Sequence, residues 1–367
     1  MADMMDYIRW RGDLPFSVSP PNEIDALIFS TLSYIPFRGT VEEHPEEPAD
    51  LRLAVREFFS YPEPPDYVRG AHDLDLLKLA GESTRFGSVL VADYRKKFIA
   101  ERDTQFAGIT FLLDDGSLFI SFRGTDNTLV GWKEDLSMSF RPVIPSQALA
   151  KQYLQDVLMV RSGPVRVSGH SKGGNVAVFA VSQSAPVIRN RVLEIYNQDG
   201  PGFSKEFLQN PGYQAILSKI RTYVPQGSII GMILYRAEPI TIIQSSETGI
   251  MQHDPFSWEL CGTSLTRMEA LTQSSLFLQL TIENWLLGME MEDRVRMVNM
   301  LYDLLTSGDV EVTDDILQPK SLVNYIARLR GSELIRKYLA ADLSSLLKAA
   351  RKARIQMQEG ERQSASR

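Results

Sequence analysis

The apolar positions of the chain change their rhythm twice. Over the first hundred or so residues they recur at helical spacing. Ile24, Leu27, Ile28, Leu32 and Ile35 form one stripe, Asn22 stands at the N-cap and Pro36 ends the run, so a helix is predicted over 23–35. Further helices are expected at 50–60 and 73–81, beyond an acidic loop at 41–51. The second regime begins near 106. Residues 106–113 and 117–122 are β-rich runs joined by Asp114-Asp115-Gly116, a hairpin signal. A helix at 146–161, a strand at 164–169, a helix at 172–184 and a strand at 191–197 follow. Short helices within 204–218 and strands at 219–224 and 238–244 complete the alternation. Strands alternating with helices imply a mainly parallel sheet, which the hairpin would open.

Beyond about 262 the strand signal ends. Helices are predicted at 264–287, 291–306, 320–329 and 332–354, with Gly288, Gly308, Pro319 and Gly331 at the breaks. Leu276, Leu280 and Leu287, then Met291, Val295, Val298, Leu301 and Leu305, give these helices apolar faces. Lys348, Arg351, Lys352 and Arg354 form a basic stripe that reads as a solvated face near a helix end. The expected organisation is an N-terminal helical and loop region (1–100) packed on an α/β core (101–262). A C-terminal helical region (263–356) and a disordered tail (357–367) would follow.

Composition narrows the function classes. The chain has 44% hydrophobic and 23% charged residues, as a globular protein does, and a net charge of −7 that argues against general affinity for nucleic acid or anionic membrane. Its one cysteine, Cys261, excludes an internal disulfide. The first residues lack a basic and apolar leader, and no apolar run approaches the roughly 20 residues of a transmembrane helix. A cytoplasmic location is the expectation, with no cofactor and no metal.

Candidate chemistry centres on Gly169-His170-Ser171-Lys172-Gly173-Gly174. It follows a short strand and opens an apolar helix, the context in which G-x-S-x-G lifts a nucleophilic serine above a sheet edge. A serine needs a base, and the chain holds only His44, His72, His170 and His253. His170 lies within the turn beside the serine, and His44 and His72 precede it. His253, in a loop after the last strand, fits the order serine, acid, histidine. Asp199, just past the strand at 191–197, is the favoured acid, with Asp254 and Glu247 as alternatives. Asp254 precedes Pro255 and also reads as a helix cap. The amides of Lys172 and Thr125 are the candidate oxyanion hole, Thr125 coming from Phe122-Arg123-Gly124-Thr125 at the end of the hairpin. A copy of those four residues at 37–40 follows a helix and reads as a loop coincidence.

On these residues the chain resembles the class 3 lipases of the α/β-hydrolase superfamily over about 105–255. The carrying segments are Ile120-Ser121-Phe122-Arg123-Gly124-Thr125, Gly131-Trp132-Lys133-Glu134-Asp135-Leu136 and the serine turn. Trp10-Arg11-Gly12-Asp13 and Asp199-Gly200-Pro201-Gly202-Phe203 make the whole chain similar to a bacterial lipase-like family. The resemblance implies an α/β-hydrolase fold and a serine hydrolase cleaving a carboxylic ester of a small molecule or lipid. Two positions depart from the pattern. Lys172 stands where lipases carry a neutral residue, and Ser228 stands where they carry the triad acid. Either Asp199 takes that role, or the fold is a weak or inactive scaffold that binds a partner.

Overall fold

The computed structural model describes residues 2–37, 39–41, 46–61, 70–126, 129–305 and 333–365. His44 and the helix expected at 320–329 lie outside them. The chain opens with helices α1 (Met4–Arg11) and α2 (Glu23–Leu32), strand β1 (Ala49–Asp50) and helices α3 (Leu51–Ser60), α4 (Ala71–Glu82) and α5 (Thr84–Gly87). Strands β2 (Leu90–Ile99), β3 (Thr104–Leu112) and β4 (Leu118–Phe122) follow, then helices α6 (Leu129–Ser137) and α7 (Pro145–Val160). Next come β5 (Val165–His170), α8 (Lys172–Ser182), α9 (Pro186–Arg191), β6 (Val192–Gln198), α10 (Pro211–Gln214), β7 (Ile220–Pro225) and β8 (Ile240–Ile243). A small hairpin, β9 (Leu260–Cys261) and β10 (Ser264–Leu265), precedes α11 (Gln273–Leu287), α12 (Met291–Leu305) and α13 (Glu333–Ala365).

Among the described residues, β1 to β8 form one sheet in sequence order. The pairs from β1 to β4 are antiparallel and those from β4 to β8 are parallel. The α/β architecture read from the sequence is therefore the one observed, with a longer antiparallel edge. The hairpin does not open the sheet, because β2 pairs with β3 along its length. Its run Leu90-Val91-Ala92-Asp93-Tyr94-Arg95-Lys96-Lys97-Phe98-Ile99 carries charges on an open face, and its register breaks at a bulge between Ala92 and Arg95. Such a strand has no clean alternation to read.

The pleat of the central strands divides the core in two. Ala107, Ile109, Phe111, Phe119, Tyr196 and Tyr223 point into one cluster, with α1 to α5; Leu118, Ile120, Phe122, Val165, Val167 and Ile195 point into another, with α7 and α8. The N-terminal helices thus supply one of the two layers on the sheet. Helix α2 is apolar on nearly every side because it is enclosed, with Phe29 set against Phe111 and Phe119 at ring distances of 4.6 and 4.7 Å.

At the C-terminal side, residues 264 and 265 lie in β10, and the helix expected from 264 begins only at Gln273 behind its Thr272 cap. The last helix runs to Ala365, through the stretch expected to be a frayed tail. Its Ala349 and Ala353 are buried, and it lies along α11, where Trp285 donates to Ser345.

One ion pair ties the N-terminal layer together. Arg85 Nε and Nη2 donate to the two Asp25 oxygens at 2.7 and 2.6 Å with both side chains fully buried. The same guanidinium donates to the carbonyls of Leu14 and Ser19 and lies 4.0 Å over the Phe16 ring. Arg85→Ala is expected to lower the unfolding free energy in urea titrations by about 3–5 kcal/mol, since it leaves Asp25 buried without its counter-ion. A loss under about 1 kcal/mol would mean that water reaches Asp25.

Candidate active site

A single residue, Ser171, separates β5 from α8. Ser171 has φ +59° and ψ −135°, a conformation that L residues rarely hold and that costs about 1–3 kcal/mol. The surroundings impose it. A Cβ on Gly169 would overlap the Gly173 carbonyl, and one on Gly173 would overlap the Phe122 carbonyl, so both flanking positions need glycine. The Ser171 amide donates to Gln198 O at 2.8 Å, and its carbonyl accepts from Gly174 N at 2.9 Å. The turn is thereby docked on the end of β6, with the serine side chain on a cavity wall.

Asp199 follows β6 directly, is fully buried and also has a positive φ, +53°. One of its oxygens accepts from Ser228 Oγ at 2.5 Å, and the other lies 2.6 Å from His253 Nδ1. An ionised carboxylate can only accept, so this contact places a proton on His253 Nδ1. Ser228, at the position where the lipase pattern would carry an acid, thus touches Asp199. Of the alternatives, Glu247 is exposed, and Asp254 accepts from the Phe256 amide at 3.1 Å as the expected cap.

His253 ends a short 3-10 turn, Gly249–His253, whose backbone is held from several sides. His170 Nε2 donates to the His253 carbonyl at 2.8 Å, with the two rings 4.6 Å apart. Trp258 Nε1 donates to Gln252 O, and Gln252 accepts from Gly227 N. His170 is therefore a support of the histidine loop. His72 lines the cavity wall and packs on Phe256. Among the described residues no hydrogen bond joins Ser171 Oγ to His253, although both line the same cavity. Such bonds are often long before substrate binds.

Residues 123–125 lie directly beside the serine turn. A Cβ on Gly124 would overlap the Tyr34 hydroxyl and the His170 carbonyl, and would touch Ser171 Cβ at 3.1 Å. Thr125 and Lys172 line the cavity with Ser171 and His253. Thr125 Oγ1 donates to Asp135 at 2.5 Å. The Lys172 ammonium is fully buried and turns away into a polar cluster, donating to Glu134 at 2.8 Å and to Gln105 O and Oε1 at 3.1 and 3.2 Å. Its charge is thus neutralised within the fold, and only its backbone is left for the cavity edge. Glu134 and Asp135 come from the Gly131–Leu136 segment, whose local pattern gives no sign of the contacts its acids make.

The cavity holds about 780 Å³. Away from these polar groups its lining is apolar and includes Ile230, Ile233, Leu234, Ile250 and Met251 together with Ile282, Trp285 and Leu286 of α11 and Met297 and Val298 of α12. Among the described residues no cluster of His, Cys, Asp or Glu could hold a metal ion, and no helix is long and apolar enough to cross a membrane.

The model of the Mbeg1-like family, a lipase-like family, matches residues 80–303. The chain belongs to the Mbeg1-like family. The match spans the sheet from β2 to β8 together with α11 and nearly all of α12. Two solved structures are similar to this Mbeg1-like chain. The Rhizomucor miehei lipase propeptide complex in native form is 18% identical, with 69% of this chain and 75% of that chain covered, at a TM-score of 0.38. A deletion mutant of the same complex is 15% identical, with 65% and 78% covered, also at 0.38. No curated protein matches the chain.

One carboxyl of the Mbeg1-like site is displaced from its ordinary range. Removal from water pushes Asp135 up to about 6, against the downward pull of the Lys172 ammonium and the Thr125 hydroxyl. Its folded pKa exceeds the unfolded one. The stability linked to it is therefore fully present below the ordinary carboxylate range and is lost as pH rises through about 6. Asp135→Asn is expected to raise Tm, relative to the parent, more at about pH 8 than at about pH 4.5. Thermal melts at the two pH values check this; an equal shift at both contradicts it.

Proposed function

We propose that this chain is a serine hydrolase that cleaves a carboxylic ester through an acyl-enzyme. The observation that carries the reading is the strained serine turn lining the same cavity as a histidine whose Nδ1 is 2.6 Å from a buried carboxylate. His253 Nε2 takes the Ser171 proton as Oγ attacks the ester carbonyl. The tetrahedral oxyanion is met by the amides of Thr125 and Lys172, at a gain of about 3 kcal/mol for each well-placed donor. The proton passes to the leaving alcohol as the C–O bond breaks. Water, deprotonated by the same imidazole, then releases the acyl group. Asp199 keeps His253 in the required tautomer and stabilises the imidazolium.

A fluorophosphonate probe is expected to label the parent protein and not Ser171→Ala. Asp199→Asn is expected to lower kcat on a p-nitrophenyl ester by about 10⁴-fold, with Glu247→Gln unchanged. Well-folded parent protein that resists the probe would overturn the reading and leave a binding scaffold.

The apolar walls favour an ester with an apolar acyl group. kcat/KM is expected to rise about fourfold per methylene from acetate towards octanoate, as each buried CH₂ contributes about 0.8 kcal/mol. A flat or falling series would mean that the acyl group lies elsewhere.

A further inference from the structure

Helix α13 presents two faces of different chemistry. One buries Ala349, Ala353 and Asp342 and lies along α11. The opposite one is open, and three large aliphatic side chains stand on it: Leu343, Leu347 and Ile355 are 57%, 55% and 55% exposed. Leu343, Leu347, Arg351 and Ile355 follow one another at four-residue steps, so they share one side of the helix, and Arg354 lies among them. Lys348 and Lys352 flank this row, both exposed. From 343 to 358 the helix has four basic residues and no acidic one, in a chain whose net charge is −7.

The solvated basic face expected from the sequence does not account for the leucines. The helix runs on to Ala365, so these cations lie well inside it and do not complement its dipole, and a merely solvated face has no use for three exposed aliphatic side chains. A nucleic acid would use the cations and leave the aliphatic row in water. A surface that takes both is an anionic bilayer, in which the aliphatic side chains enter the acyl boundary while lysine and arginine reach the lipid headgroups.

We propose that the exposed face of α13 docks this protein onto anionic lipid surfaces. The helix lies on the surface and does not span the bilayer. Attraction of about fivefold in affinity per basic residue near the surface outweighs the net negative charge, because charges more than about 10 Å from the bilayer are screened. The ester chemistry proposed above is independent of this contact.

The test is sedimentation of the full chain with vesicles of phosphatidylcholine alone and with 30% phosphatidylglycerol. Binding is expected to the mixed vesicles only and to fall at least tenfold in 0.5 M NaCl. Replacing Lys348, Arg351, Lys352 and Arg354 by Gln should abolish it, and Leu343→Ser with Leu347→Ser and Ile355→Ser should weaken it at least fivefold. All seven side chains are exposed, and unchanged far-UV circular dichroism checks that the variants fold. Equal binding to both vesicle types, no binding to either, or binding that survives the Gln replacements overturns the proposal. So does a surface that binds heparin equally well with and without the three serines and leaves vesicles unbound.

Discussion

The site depends on how closely three backbone segments meet at Ser171. The end of β4, the turn between β5 and α8, and the end of β6 approach one another with no room for a Cβ at Gly169, Gly173 or Gly124. That contact holds Ser171 in its strained conformation, which a free chain would leave at once. It also fixes where everything else must come from. Thr125 arrives on the β4 segment, Lys172 on the turn itself, and Asp199 as the first residue after β6. The strain at Ser171 is set against the packing of both core layers on the strands beneath it.

Charge around the serine is arranged by burial and pairing. Asp199 and Glu134 are each buried with a named partner, His253 and Ser228 for the first and Lys172 for the second. The two departures from the lipase pattern therefore have one kind of explanation. Ser228, standing at the expected acid, donates a hydrogen bond to the carboxylate on the neighbouring strand end. Lys172 carries a charge that Glu134 neutralises, and both lie within the core. Neither position leaves a buried charge unmatched, which is the condition for keeping polar groups at such depth.

Much of this could be read from the sequence, and the gaps have physical reasons. The parallel half of the sheet was legible because its strands are short apolar runs between helices with clear periodicity. Strand β2 was not, since its charged outer face and bulge erase the alternation that marks a strand. The layered role of α2 was hidden for a different reason: a helix enclosed on all sides announces itself, but the sheet face it covers does not. At the site, the turn pattern, the scarcity of histidines and the position past a strand end point to Ser171, His253 and Asp199, and the fold brings the last two within 2.6 Å of each other. The support given by His170 to the His253 carbonyl, and the counter-ion Glu134, depend on contacts across 83 and 38 residues of sequence that no local pattern encodes. Exposure of Leu343, Leu347 and Ile355 was equally unreadable, since an apolar stripe on a helix normally signals a buried face.

The central claim is that Asp199, through Nδ1, sets the state of His253. Proton NMR with ¹⁵N-labelled histidine observes this bond directly. A short, charge-assisted Nδ1–H···carboxylate bond should give a far-downfield His253 proton that survives in Ser171→Ala and disappears in Asp199→Asn. A His253 ring whose proton resides on Nε2, or a downfield signal that persists in Asp199→Asn, would contradict the account.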